Sequence, residues 1–297
     1  MLWSASGAMA GDAVIAASNA ASTRPETWRL ALLAAWAAVG LSLAWRRGWL
    51  QGARTVRWRL HLLDDQVLIA CGVLLSGLLA TLVASALGAK PGDTPSTGIS
   101  LAALVTSCAT TIVAWQALER AHAATAERAP GGWTVRAAMV GGILGLAIAW
   151  PVVALVSHLG SAIQQRLGGP AVPEVAHDTL VMLRTHASEP SAWLLALAVV
   201  TLTPVAEELL WRGAVQQALK AAGLPRLVAV ACASALFALV HWNAVPAEAR
   251  IGALPALAAL GFTFGWLMER CGRIAAPMAA HAAFNAANLL LFSMLPG

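Results

Sequence analysis

Eight unbroken apolar runs of 16 to 28 residues recur along the chain, separated by short polar breaks that carry arginine, glycine or proline. They lie at 30–45, 67–87, 99–118, 137–159, 192–219, 227–242, 251–268 and 274–294. A hydrocarbon core about 30 Å thick is crossed by roughly 20 apolar residues in helical form. The pattern therefore predicts an all-α, polytopic membrane protein with about eight transmembrane helices in one bundle. Apolar positions do not alternate with polar ones, which excludes a β-barrel. Residues 1–26 are small and polar, with no basic stretch leading into an apolar one, and read as a flexible N-terminal tail, not a cleaved signal peptide. Residues 27–190 hold helices one to four and a long outer loop at 160–190, and residues 191–297 hold the last four helices.

Composition agrees. The 297-residue chain is 59% hydrophobic and only 11% charged, where soluble domains carry about a quarter charged residues. The net charge of +5 is spread over the breaks and forms no basic stripe, so nucleic acid is not a partner. Four scattered cysteines without a CxxC pair give neither a disulfide framework nor a zinc ribbon. Thirteen of the 19 Lys and Arg residues fall in breaks on one side of the predicted membrane and six on the other. By the positive-inside rule both termini face away from the cytoplasm, and an integral protein of a bacterial inner membrane is expected. Trp28, Trp45, Trp49, Trp115, Trp133 and Trp242 fall near span ends, as an interfacial belt would place them. The basic stretch 54–65 is partly amphipathic and suits either anionic headgroups or an ordinary cytoplasmic loop.

Ionisable groups inside a bilayer are costly and tend to mark function. Here they cluster in the last third. Glu207 and Glu208 follow a long apolar run; Arg212, four residues after Glu208, shares its helical face and can pair with it. Glu207 is turned about 100° away, without a local partner. Pro204, one turn earlier, removes a helical hydrogen bond and is expected to kink the helix. Phe237 and His241 share a face of the sixth run, and His281, Asn285 and Asn288 form one polar stripe on the eighth. A hairpin turning at 223–225 puts Glu207 and His241 at equal height, roughly 23 Å from its tip. His281 lies only roughly 12 Å into its own helix, so a meeting of all three requires the tip to project beyond the membrane. Gln216, Gln217 and Lys220 near the tip would accommodate that.

A carboxylate and an imidazole at one height can hold and deprotonate a water. A second imidazole and a carboxamide can donate to a developing oxyanion. These are parts for water attack on an amide carbonyl without a serine or cysteine nucleophile. Glu207, His241 and His281 are also ordinary zinc ligands, so a divalent metal such as zinc is the alternative. A transporter or proton relay, or a scaffold for a partner membrane protein, would use the same buried polar residues without hydrolysis.

Glu207-Glu208-x-x-x-Arg212, Phe237-x-x-x-His241 and His281-x-x-x-Asn285 resemble, in order and approximate spacing, the three motifs of the CPBP family of CAAX prenyl endopeptidases and Abi proteins. The resemblance spans roughly residues 190–295 and implies a catalytic core over 191–297. It implies that Glu207 and His241 activate water and that His281 and Asn285 support the oxyanion, with Glu208 and Arg212 shaping the site; Phe237 and Asn288 are counted as supporting. It further implies a membrane-associated protein or peptide as substrate. Family members are described both as metalloproteases and as glutamate-dependent enzymes; the His281–Asn285 pair favours the form without a cofactor. No HExxH is present, and the absence of tyrosine rules out the YD motif of aspartyl intramembrane proteases.

Overall fold

The computed structural model describes residues 27–48, 64–90, 95–122, 133–167, 182–183, 185–245 and 247–294. The proposed tail at 1–26, most of the basic stretch 54–65, and His177 and Asp178 of the outer loop lie outside the described residues.

The described residues are helical, with no strand among them. In chain order they form α1 (Thr27–Arg46), α2 (Asp64–Ala86), α3 (Thr97–His122), α4 (Val135–Arg166), α5 (Pro190–Ala221), α6 (Arg226–Val240), α7 (Arg250–Cys271) and α8 (Ala275–Met294). Local chemistry sets several ends. Thr134 caps α4 by accepting the Ala137 amide at 3.2 Å. Pro190 opens α5, where its missing N–H costs nothing. Gly272 ends α7 in the left-handed region at φ +64°. The tight link between α5 and α6 carries Gly223 at φ +94°, at the turn expected from Gly223–Pro225.

By length and composition, four segments can cross a membrane: Thr97–Ala117, Val135–Arg166, Pro190–Ala221 and Arg250–Cys271. Leu30–Arg46, Leu74–Ala86 and Arg226–Val240 are apolar but shorter. Over the described residues the protein is thus an all-helical membrane protein, and four of its helical segments, not eight, are long and apolar enough to span a membrane. Their outward faces carry exposed Leu74, Val113, Val140, Leu144, Leu197 and Leu239, a surface that lipid satisfies and water does not.

α4 lies along α7 and α8, α3 along α5, and α2 against α3; α8 fills the space between α4, α5 and α7. Ala138 and Leu146 of α4 are buried with Leu260, Phe264 and Leu267 of α7 and Ala276 and Ala280 of α8. Lipid gives helices no hydrophobic reason to associate, so close backbone packing matters more here than in water. A Cβ on Gly142 would strike the Ala276 carbonyl, and one on Gly160 the Ile251 carbonyl. This corrects one expectation. α4 does not stop at residue 159 but runs to Arg166, because Gly160 is a contact point with α7 and not a terminator.

Candidate active site

The site is built on one stripe of α5. Past Pro204 the helix continues as α to Glu208, widens into a π segment over Leu209–Val215, and resumes as α over Gln216–Ala221. The Gln216 amide donates to the Trp211 carbonyl, five residues back, as π geometry requires. Gly213 in this segment faces the Trp115 ring of α3, where a Cβ would come within 2.7 Å of the ring. Trp115, expected in an interfacial belt, thus packs against the π segment. Pro204 is inside the helix as expected; the π segment that follows it was not foreseen.

Glu208 and Arg212 are fully buried and paired, Nη1 donating to Oε1 at 3.1 Å. Arg212 Nη2 donates to the Gly261 carbonyl of α7 at 2.9 Å, and the guanidinium lies over the rings of Phe237 and Phe264, 4.9 and 5.3 Å from their centroids. Buried charges need this degree of pairing, since a lone one would cost several kcal/mol.

Glu208 Oε1 also meets His281 Nδ1 at 2.8 Å. The His281 ring stacks on Phe264 at 4.9 Å, and its Nε2 lies 3.9 Å from Glu207 Oε2. Two adjacent glutamates therefore bracket one imidazole. Glu208 is wholly enclosed, whereas the Glu207 side chain keeps 27% of its surface exposed.

His241 caps the C-terminus of α6, its Nδ1 2.7 Å from the Phe237 carbonyl and its ring 4.8 Å from the Phe237 ring. A carbonyl oxygen only accepts, so Nδ1 carries the proton; an ionised Glu208 imposes the same on His281. Both imidazoles thereby present Nε2 as the working nitrogen. Phe237, 1% exposed, separates them, edge-on to His281 at 6.3 Å. Asn285 donates one amide N–H to the Val199 carbonyl of α5 at 2.9 Å, a tie between helices that leaves its second N–H for other use. Asn288 lies half-buried on the same helix.

Glu207, Glu208, Arg212, Phe237 and His281 thus meet in one cluster, with His241 beside Phe237. Among the described residues no group of three or more His, Cys, Asp and Glu side chains is arranged so that it could hold a metal ion. One expectation is corrected. Gln216 and Gln217 do not line a projecting tip; both are buried, 0% and 2% exposed. Glu269 of α7, which meets Gln216 Nε2 at 2.8 Å, was not singled out from sequence, because Glu-Arg at a helix end reads as an ordinary membrane-boundary pair.

Residues 189–287 match the model of the Rce1-like family, described as type II CAAX prenyl endopeptidase Rce1-like. Over this third of the chain, which carries the three motifs, the protein is similar to that family. No curated protein and no solved structure matches the chain.

Proposed function

We propose that this protein is an intramembrane endopeptidase that hydrolyses a peptide bond near the C-terminus of a membrane-associated protein or peptide, with Glu207 as the base that activates water. The observation that carries this reading is the difference between the two glutamates. Glu208 is enclosed by Arg212 and His281, while Glu207 is open on one side and faces His281 Nε2 at 3.9 Å. In the reaction, Glu207 takes one proton from a water whose other O–H donates to His241 Nε2, and the water oxygen adds to the substrate carbonyl. That proton passes from Glu207 to His281 Nε2, and the resulting N–H, together with the remaining Asn285 N–H, donates to the tetrahedral oxyanion. The C–N bond then breaks as the proton passes to the leaving amine. Phe237 keeps the imidazoles apart, and Asn288 continues the polar face of α8. The match to a CAAX endopeptidase family supports the substrate class. The distribution of basic breaks supports an orientation with both termini outside the cytoplasm.

The purified protein in lipid nanodiscs, given a farnesylated fluorogenic peptide ending in a CAAX sequence, is expected to cleave it. Glu207→Gln is expected to lower the rate by about 10²-fold or more, the range for loss of a positioned base. Cleavage by Glu207→Gln at the parent rate overturns the assignment. We also propose that no metal takes part, because His281 with Asn285 on one face of α8 suits an oxyanion clamp better than a ligand set. A chelator is expected to leave the rate unchanged; loss restored by zinc would reverse this.

A further inference from the structure

Beyond the motif residues, α5 carries a second set of buried polar groups at the same four-residue spacing. Glu208, Arg212, Gln216 and Lys220 form a stripe, opposed by Gly261, Gly265 and Glu269 of α7. Arg212 donates to the Gly261 carbonyl at 2.9 Å. Gln216 Nε2 donates to the Gly265 carbonyl at 3.3 Å and to Glu269 Oε1 at 2.8 Å. Lys220 Nζ donates to the same Glu269 oxygen at 2.7 Å. Both neighbours of the Gln216 amide nitrogen are acceptors, which fixes the amide orientation. Its Oε1 then lies over Gly265, where a Cβ would approach within 2.7 Å of that oxygen.

On a regular α-helix this four-residue stripe would wind gradually around the axis. At 3.6 residues per turn, each four-residue step drifts by about 40°, so three steps carry Lys220 about 120° off the face of Glu208. The π segment at Leu209–Val215 has wider turns and takes up the drift. Contacts made from within it (Arg212 to Gly261) and from beyond it (Gln216 and Lys220 to Glu269) tie the segment to α7 on both sides of its C-terminal end. Glu207 lies immediately before this segment, so its direction depends on the same register.

We propose that Gln216 and Glu269 are positioning residues for the Glu207–His281 site. They fasten α5 beyond the π segment to α7 and so hold the register that aims Glu207 at His281. The proposal rests on the endopeptidase reading for its kinetic consequence, but its structural part stands apart from it. Gln216→Met keeps length and burial while removing the donor. Glu269→Leu removes the acceptor. Glu269→Gln keeps an acceptor for Gln216.

The test compares these variants with the parent protein and Glu207→Gln in nanodiscs, using the farnesylated peptide and hydrogen–deuterium exchange. Gln216→Met and Glu269→Leu are expected to lower kcat about tenfold or more, with KM within twofold and folding intact. Amide exchange over residues 205–217 should rise while α4 stays protected. Glu269→Gln should lose less than threefold in kcat. Unchanged exchange over 205–217 overturns the fastening, whether or not the peptide is cut. Faster exchange with parental kcat overturns the positioning role. Parental kcat in Glu207→Gln counts against the endopeptidase reading and leaves the exchange result to decide the fastening.

Discussion

Glu207 and Glu208 are sequence neighbours in opposite surroundings, and that contrast predicts opposite mutant behaviour. Glu208 is fully buried and shared between Arg212 and His281. Replacing Arg212 by Met strips a buried carboxylate of its partner and is expected to cost about 3–5 kcal/mol of stability, read as a fall in the midpoint of thermal unfolding in detergent. Adding Glu208→Gln to that variant should recover part of the loss, because no uncompensated charge remains; a double variant less stable than either single one contradicts the pairing account. Glu207→Gln touches a partly exposed group, so its stability should stay within about 0.5 kcal/mol of the parent while cleavage is lost.

Between helices, one close approach beside the site is at Gly261 of α7. A Cβ there would stand 3.2 Å from Phe237 Cδ1 and 3.3 Å from Arg212 Nη2. Gly261→Ala therefore crowds a ring and an ion pair at once and is expected to destabilise by about 1–3 kcal/mol, as overpacking does, with a larger loss of cleavage than the stability change explains. The motif residues were legible in sequence because a charged or amide group on an otherwise apolar run stands out, and because Glu208–Arg212 and Phe237–His241 share faces at four-residue spacing. The π segment was not legible. Leu209–Val215 has no composition that separates a π turn from an α one; its stability comes from contacts with α3 and α7. Gln216 was assigned to a wet tip for the same reason, since its partner Glu269 lies 53 residues further on and only the fold brings it near.

Across the whole molecule, stability should depend on acid through a junction far from the site. Thr97, at the start of α3, donates to Glu189 Oε2 at 2.6 Å just ahead of α5, with Ser191 donating to the same oxygen at 3.3 Å. The Thr97 hydrogen bond, helped by nearby His186 and by Ser191, holds the Glu189 carboxyl below its ordinary range. A carboxyl lowered by folding contributes stability that is complete above its unfolded pKa and is lost as pH falls through the folded one. Thermal midpoints should therefore fall as pH drops below the ordinary carboxylate range. Thr97→Val should flatten that fall without changing the midpoint's pH dependence above it, and an unaltered acid limb would refute the link.

The family match begins at residue 189, yet the helices it covers do not enclose themselves. Ala138 and Leu146 of α4 share one buried cluster with Leu260, Phe264 and Ala280, and Gly142 lies directly against the α8 backbone at Ala276. α3 covers the other flank, packing along α5 with Trp115 on the π segment. Removing residues 1–190 would expose both faces of α5, α7 and α8 to lipid, which fills the gap without the close fit that orders the polar stripe. The segment 191–297 expressed alone is therefore expected to be degraded or to purify without cleavage activity. Co-expression with residues 1–190 as a separate chain should restore both, since α3 and α4 pack directly on α5, α7 and α8. Full activity from 191–297 alone, measured on the farnesylated peptide in nanodiscs, would show that the first four helices do not shape the site.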